Sequence, residues 1–171
     1  MAAGIGHDGC MKVAFKEWFA VCEAIGKGEQ DVLIRKGGIH EGRDGFRFKH
    51  EEFYLFPTLF HKQSTLLLGS ARADFPDPSK RVWEVGDVVP VKYKCRVTAV
   101  EDVRDWQQVL ALSGRHIYSE ELLRERFLWS GKGMDEGSVQ VAQISVELLD
   151  PALEVAYSKA QGGCRSWVTI P

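Results

Sequence analysis

In VGDVVPVKYKCRVTAV, the run from Val85 to Val100, character changes at every second residue. Val91, Tyr93, Cys95, Val97 and Ala99 fall on one side of an extended chain, and Lys92, Lys94, Arg96 and Thr98 on the other. A period of two held over that length is a half-buried β-strand with one solvated, basic face. C-terminal to it, VRDWQQVLAL and SEELLRERFLW read as two helices. SVQVAQISVELL reads as a second long strand with Ala142, Ile144, Val146 and Leu148 inward, and CRSWVTIP as a last short strand. On the N-terminal side, GSARADFPDPSKR carries two prolines among small polar residues, an irregular connection. Before it, EEFYLF reads as a strand, and Pro57 takes the first position of a short helix, PTLFHKQSTLLL. DVLIRK is a short buried strand bounded by glycines. The spacing of Ala14, Trp18, Val21, Cys22 and Ile25 predicts a helix from Val13 to Ile25, ended by Gly26-Lys27-Gly28. Hairpin-like strands with helices inserted between them make an α+β domain, a curved and mostly antiparallel sheet or small β-barrel.

The 171 residues fit one domain, expected over residues 13–171 behind a flexible segment of residues 1–12. With 44% hydrophobic and 27% charged residues the chain can build an ordinary globular core, so extensive disorder is excluded. A net charge of −2 excludes a global basic field, and any contact with nucleic acid must come from a local patch. Cys10, Cys22, Cys95 and Cys164 share no CxxC spacing, which argues against a zinc ribbon and for free thiols in a reducing compartment. The start MAAGIGHDGCMKVAF has no signal-peptide pattern, and the longest apolar run is too short to span a bilayer. A cytoplasmic protein with no membrane contact is expected.

The densest chemistry lies in RKGGIHEGRDGFRFKHEEFYLFPTLFH, Arg35 to His61. Five Lys/Arg, three His and four Gly there exceed what a connection requires. Gly37 and Gly38 follow a strand ending in Arg35 and Lys36, so the backbone could approach a ligand and its N–H groups could cradle an anion. The spacing is neither a P-loop nor a dinucleotide fingerprint, and a Gly-rich turn with solvated cations is an equally good account. His40, His50 and His61 are ten and eleven residues apart and form no HExxH or HxxxH pair, so no metal and no other cofactor is expected. His50 or His61 could still serve as general acid or base. Paired-carboxylate nuclease chemistry is rejected, because no (D/E)xK triplet sits on a strand. Cys164 and Ser166 in GGCRSW lack nucleophile signatures and read as a tight turn, with a buried Cys and a core Trp167. The stripe Lys92, Lys94, Arg96 is a solvated edge unless it adjoins Arg35, Lys36, Arg43 and Arg47, which would make a cationic groove. Phe46, Phe48, Tyr54 and Trp83 lie among these elements as candidate stacking rings.

AFKEWFAVCEAIGKGEQDVLIRKGGI, GFRFKHEEFYLFPTLFHKQ and the closing GGCRSWV together resemble a bacterial family, domain-of-unknown-function family 1802, from Ala14 to Ile170. That resemblance implies no activity, only a context of restriction-modification-type neighbours. GKGEQ followed by VLIRK, and the strand GDVVPVKYKCRVTAVEDV, are also similar to ASCH, EVE and other PUA-like domains. These are small β-barrels with inserted helices that commonly bind RNA or modified bases. The similarity implies a groove lined by Lys27, Arg35 and Lys36, although the GGIHEGRDGFRFKHEEF insertion and LFPT depart from the pattern.

The resulting expectation is a PUA-like domain that binds nucleic acid, DNA or RNA, or a modified base, in restriction, defence or RNA processing. Arg35, Lys36, Arg43 and Arg47 would meet phosphates, and His50, Thr58 and His61 would supply directional hydrogen bonds. Phe46 or Trp83 would stack the base. Two alternatives stay open. One is a small metal-independent hydrolase or nuclease with His50 or His61 as base; the other is a non-catalytic protein-interaction module.

Overall fold

The computed structural model describes residues 11–36, 48–59, 63–68, 82–129, 131 and 133–171. The elements are β1 (Lys12–Trp18), α1 (Phe19–Gly26), β2 (Val32–Lys36), β3 (Glu52–Thr58), α2 (Gln63–Leu66), β4 (Val88–Val103), α3 (Trp106–Leu110), α4 (Glu120–Phe127), β5 (Val139–Ala156) and β6 (Trp167–Ile170). They build one sheet in the order β2-β5-β4-β3-β1-β6. Only β1 and β3 run parallel; the other neighbouring pairs are antiparallel. The fold is α+β with a curved, mostly antiparallel sheet, as the strand patterns imply.

The strands β4 and β5 form the spine, matched from Val88↔Ala156 to Val103↔Val139 with two register shifts. In β4 the expected alternation holds: Val89, Val91, Tyr93 and Cys95 are buried, whereas Lys92, Lys94 and Arg96 are not. In β5 it holds only in part. Ala142 and Ile144 are buried, but Val146 and Leu148 are exposed, although their partners on β4, Cys95 and Tyr93, are buried.

Two elements differ from the sequence pattern. The helix expected from Val13 begins only at Phe19, and residues 12–18 are strand β1. The cause is burial on both faces: Phe15 packs into the larger core cluster, and its neighbour Ala14 into a second one with Phe56, Val89, Val91 and Ile170. A strand covered on both sides shows no alternation, so the helical spacing of α1 reads through it. Pro57 begins no helix but lies within β3, opposite Glu17 of β1. Pairing of β3 with β4 has stopped at Tyr54, so on that side the missing N–H of Pro57 costs no ladder bond.

The sheet is open, and its edge strand β2 is tied to β1 and α4 by side chains rather than by strand pairing. Arg35, on the edge strand β2, donates from Nη2 to the carbonyl of Lys16 on β1 at 2.7 Å. Arg126 of α4 donates from Nη1 to the carbonyl of Ile34 at 2.6 Å. Side-chain donors thus occupy backbone acceptors that a further strand would otherwise take.

Candidate functional site

The seam is organised around Glu17, which is fully buried. Its Oε1 accepts the backbone N–H of Trp18 at 2.8 Å, and its Oε2 accepts the Tyr118 hydroxyl at 3.2 Å. Arg35 Nη2 lies 3.3 Å from Oε2, and the guanidinium sits 4.5 Å above the ring of Phe15. A buried carboxylate tolerates this environment only with such partners. Thr58 on β3 donates to the backbone carbonyl of Glu17 at 3.1 Å, tying the ends of β1 and β3 together.

Alternation along β1 sends Glu17 inward and Lys16 and Trp18 to a cleft beside it. The other wall is the turn before β6, where Lys16 Nζ donates to the carbonyl of Gly163 at 2.6 Å and the Lys16 N–H to that of Ser166 at 2.8 Å. Gly163 has φ 75°, a conformation that favours glycine and lets the turn fold back over the end of the strand. The cleft has two arms. The wide arm, about 380 Å³, is lined by Trp18, Thr58, Leu59, Val82, Trp83, Tyr157 and Gln161. The narrow arm, about 150 Å³, adds Arg35, Arg165 and Ser166. Lys16, Trp18, Thr58, Gly163 and Cys164 line both. Trp83 is fixed by donating Nε1–H to the carbonyl of Pro57 at 2.7 Å. Gln161 is locked below by its bonds to Ser158 and to the carbonyl of Thr169.

The electrostatics are one-sided. No Asp or Glu is among the described residues lining either arm, while Lys16, Arg35 and Arg165 line the narrow one. Burial holds the Lys16 ammonium below the usual lysine range; Arg165 pushes it the same way and Cys164 opposes. The basic stripe on β4 is the reverse case. Lys92 bonds Glu23 at 3.0 Å, Lys94 pairs with Glu52 at 2.7 Å, and Arg96 pairs with the same carboxylate. Those hydrogen bonds hold the Glu52 carboxyl low, and Glu52 raises Lys94 in return. Two carboxylates thus engage all three cations of the stripe where they stand.

Of the residues singled out from sequence, Arg35 and Thr58 line the cleft, Arg35 with much of its guanidinium committed to the seam. Trp83, named as a stacking ring, lines the wide arm. Lys36 turns toward α4, with its ammonium 3.0 Å from the centre of the Trp129 ring and 3.9 Å from Glu125. Lys27 is exposed at the end of α1. His50 stands edge-on to Trp167, ring centres 4.8 Å apart. Phe48 packs against Phe15 and Trp167. Gly37, Gly38, His40, Arg43, Phe46, Arg47 and His61 lie outside the described residues. Cys164, expected to be buried, is exposed in the cleft wall, whereas Trp167 packs against the core. Lys16, Trp18, Tyr157 and Arg165 were not singled out. Their one sequence signal is the pair Gly162-Gly163 followed closely by a cation.

Among the described residues no cluster of His, Cys, Asp and Glu could hold a metal ion. Cys22 and Cys95 are buried free thiols, both pushed up by burial, Cys95 to about 12. No helix among the described residues is long and apolar enough to cross a membrane.

The family described as "Domain of unknown function (DUF1802)" matches residues 14–171. No curated protein matches the chain. Among solved structures it is similar to the ASCH protein of Zymomonas mobilis, with TM-score 0.45, 13% identity, and coverage of 78% of this chain and 66% of that one. Two single-substitution variants of that protein match at TM-score 0.43, with 14% and 15% identity and coverage of 78% and 77% of this chain and 66% and 67% of theirs. The chain thus spans about two thirds of the length of these ASCH structures, a distant likeness that says nothing about chemistry.

Proposed function

The chain belongs to the DUF1802 family, and we propose that it is a nucleic-acid-binding domain that holds an unstacked base in the cleft between β1, β3 and the turn before β6. The observation that carries this reading is a cleft that joins three aromatic side chains, Trp18, Trp83 and Tyr157, to Lys16, Arg35 and Arg165, with no carboxylate among the described lining residues. A base offers a π-face to an aromatic wall, and its backbone phosphate needs a cation within one nucleotide's reach. The wide arm is within the roughly 300–1,000 Å³ usual for small-ligand sites. A duplex keeps its bases inside the stack, so a single strand or a flipped-out nucleotide is the form that fits. RNA processing or a restriction-linked role, the context implied by the resemblance, belongs to this reading.

The test is binding to a panel of single- and double-stranded DNA and RNA at two salt concentrations. Single strands should bind best, weakening roughly tenfold between about 50 and 200 mM salt if two or three phosphates are contacted. Trp83→Ala should weaken binding by about 1–3 kcal/mol, the usual worth of one base stacked on an aromatic ring, while thermal melting checks that the variant is folded. Equal binding by wild type and Trp83→Ala would remove the stacking role. No binding to any member would sink the proposal.

A further inference from the structure

Resting on that reading, the two arms divide the ligand between them. We infer that the cleft holds one nucleotide carrying a terminal phosphate monoester, with the base in the wide arm and the phosphate in the narrow arm. The narrow arm brings Lys16, Arg35 and Arg165 together within about 150 Å³, a space suited to a compact anion rather than a ring system. On β4 two carboxylates, Glu23 and Glu52, meet the three cations of the stripe; here no carboxylate is among the described lining residues, and of the three cations only Arg35 is met from behind, by the buried Glu17. Like charges held together in this way disfavour one another, and a ligand of opposite charge relieves the cost. A phosphate monoester carries about −1.5 to −2 charge near neutrality, against −1 for a diester, so it better answers the charge that three cations leave after Glu17 is counted. The two arms adjoin, because Lys16, Trp18, Thr58, Gly163 and Cys164 line both.

The same chemistry is offered by a free mononucleotide and by the phosphorylated end of a strand. The experiment therefore measures five probes by tryptophan fluorescence and calorimetry. They are a nucleoside, its 5′-monophosphate, and one short single strand with a 5′-phosphate, with a 3′-phosphate, or with hydroxyls at both ends. At least one phosphorylated probe should bind tenfold or more tightly than its hydroxyl counterpart, and which one identifies the source. Arg165→Ala, in an exposed turn, should remove most of that difference, weakening the phosphorylated probes by a larger factor than the hydroxyl-ended strand. The preference should grow as pH rises through about 6, where the monoester loses its second proton. It should fall again once Lys16 deprotonates below the ordinary lysine range. Strand binding with no response to a terminal phosphate, or a response unchanged in Arg165→Ala, would overturn this inference and leave the proposed function standing. No binding to any of the five would overturn both.

Discussion

At the scale of residues, Arg35 illustrates how a cation conspicuous in sequence can be structural first. Its guanidinium neutralises the buried Glu17 and bridges β2 to β1. Arg35→Ala would leave a fully buried carboxylate without its counter-ion, so urea unfolding should show a loss of roughly 3–5 kcal/mol. Lost binding in that variant would therefore not identify a phosphate contact, and Arg165 is the cleaner probe of the cleft. A loss under 1 kcal/mol would mean that Glu17 does not depend on Arg35. His116 is a second case. It is buried beside Tyr118; backbone groups approach the ring, but neither nitrogen has a hydrogen bond of good geometry. Burial first, and the Arg126 guanidinium second, hold its pKa below the usual imidazole value. A lowered folded-state pKa means the unfolded chain binds the proton more readily. The stability tied to neutral His116 is thus full above about pH 6.5 and is lost as pH falls from there through the lower folded value. Unfolding free energies of wild type and His116→Phe measured from pH 8 to 5 should diverge on the acid side, wild type falling more steeply. Parallel curves would contradict this.

At the scale of elements, what was legible followed from exposure on one face. The half-buried strand β4 announced itself by alternation, and SEELLRERFLW read as a helix; in α4 the Ser119 hydroxyl accepts the N–H of Leu122 at 3.2 Å. The central strand β1 was hidden because Ala14 and Phe15 both enter cores. The strand also passes directly into α1 without a turn residue, Trp18 being extended and Phe19 helical. Pro57 misled because its tolerance in β3 depends on where β4 stops pairing, which is a tertiary fact. The end of α1 was legible, and Gly26 there has a packing role as well. A Cβ at this position would enter the ring of Tyr93, which lies buried beneath it. Gly26→Ala should destabilise by about 1–3 kcal/mol, against the gain expected from helix propensity alone. Adding Tyr93→Leu should recover part of that loss in thermal melts if the ring is the obstacle.

At the scale of the whole molecule, the cleft lies beside the side-chain bridge between the edge strand β2 and β1. The strands β1 and β2 approach each other, but Arg35 spans the gap, and the end of β1, the end of β3 and the turn before β6 are left around a hollow. Its residues come from five distant parts of the chain, near positions 16, 35, 58, 83 and 160, so no local motif could reveal it. Thr58, Arg35 and Trp83 were legible as a hydroxyl, a cation and an aromatic in a rich region. Lys16 and Arg165 become neighbours only through the pairing of β1 with β6. The basic stripe of β4, a clear cationic signal in the sequence, is engaged by Glu52 from β3 and Glu23 from α1, which no periodicity foretells. The most direct measurement of the central claim is photo-crosslinking of a thiouridine-containing single strand, with the attached peptides mapped by mass spectrometry. Crosslinks should fall at Trp18, Trp83, Tyr157 and the turn from Gly163 to Ser166, and free mononucleotide or excess unlabelled strand should compete them away. Crosslinks gathered on Lys92, Lys94 and Arg96 instead, with the cleft peptides unmodified, would contradict the account.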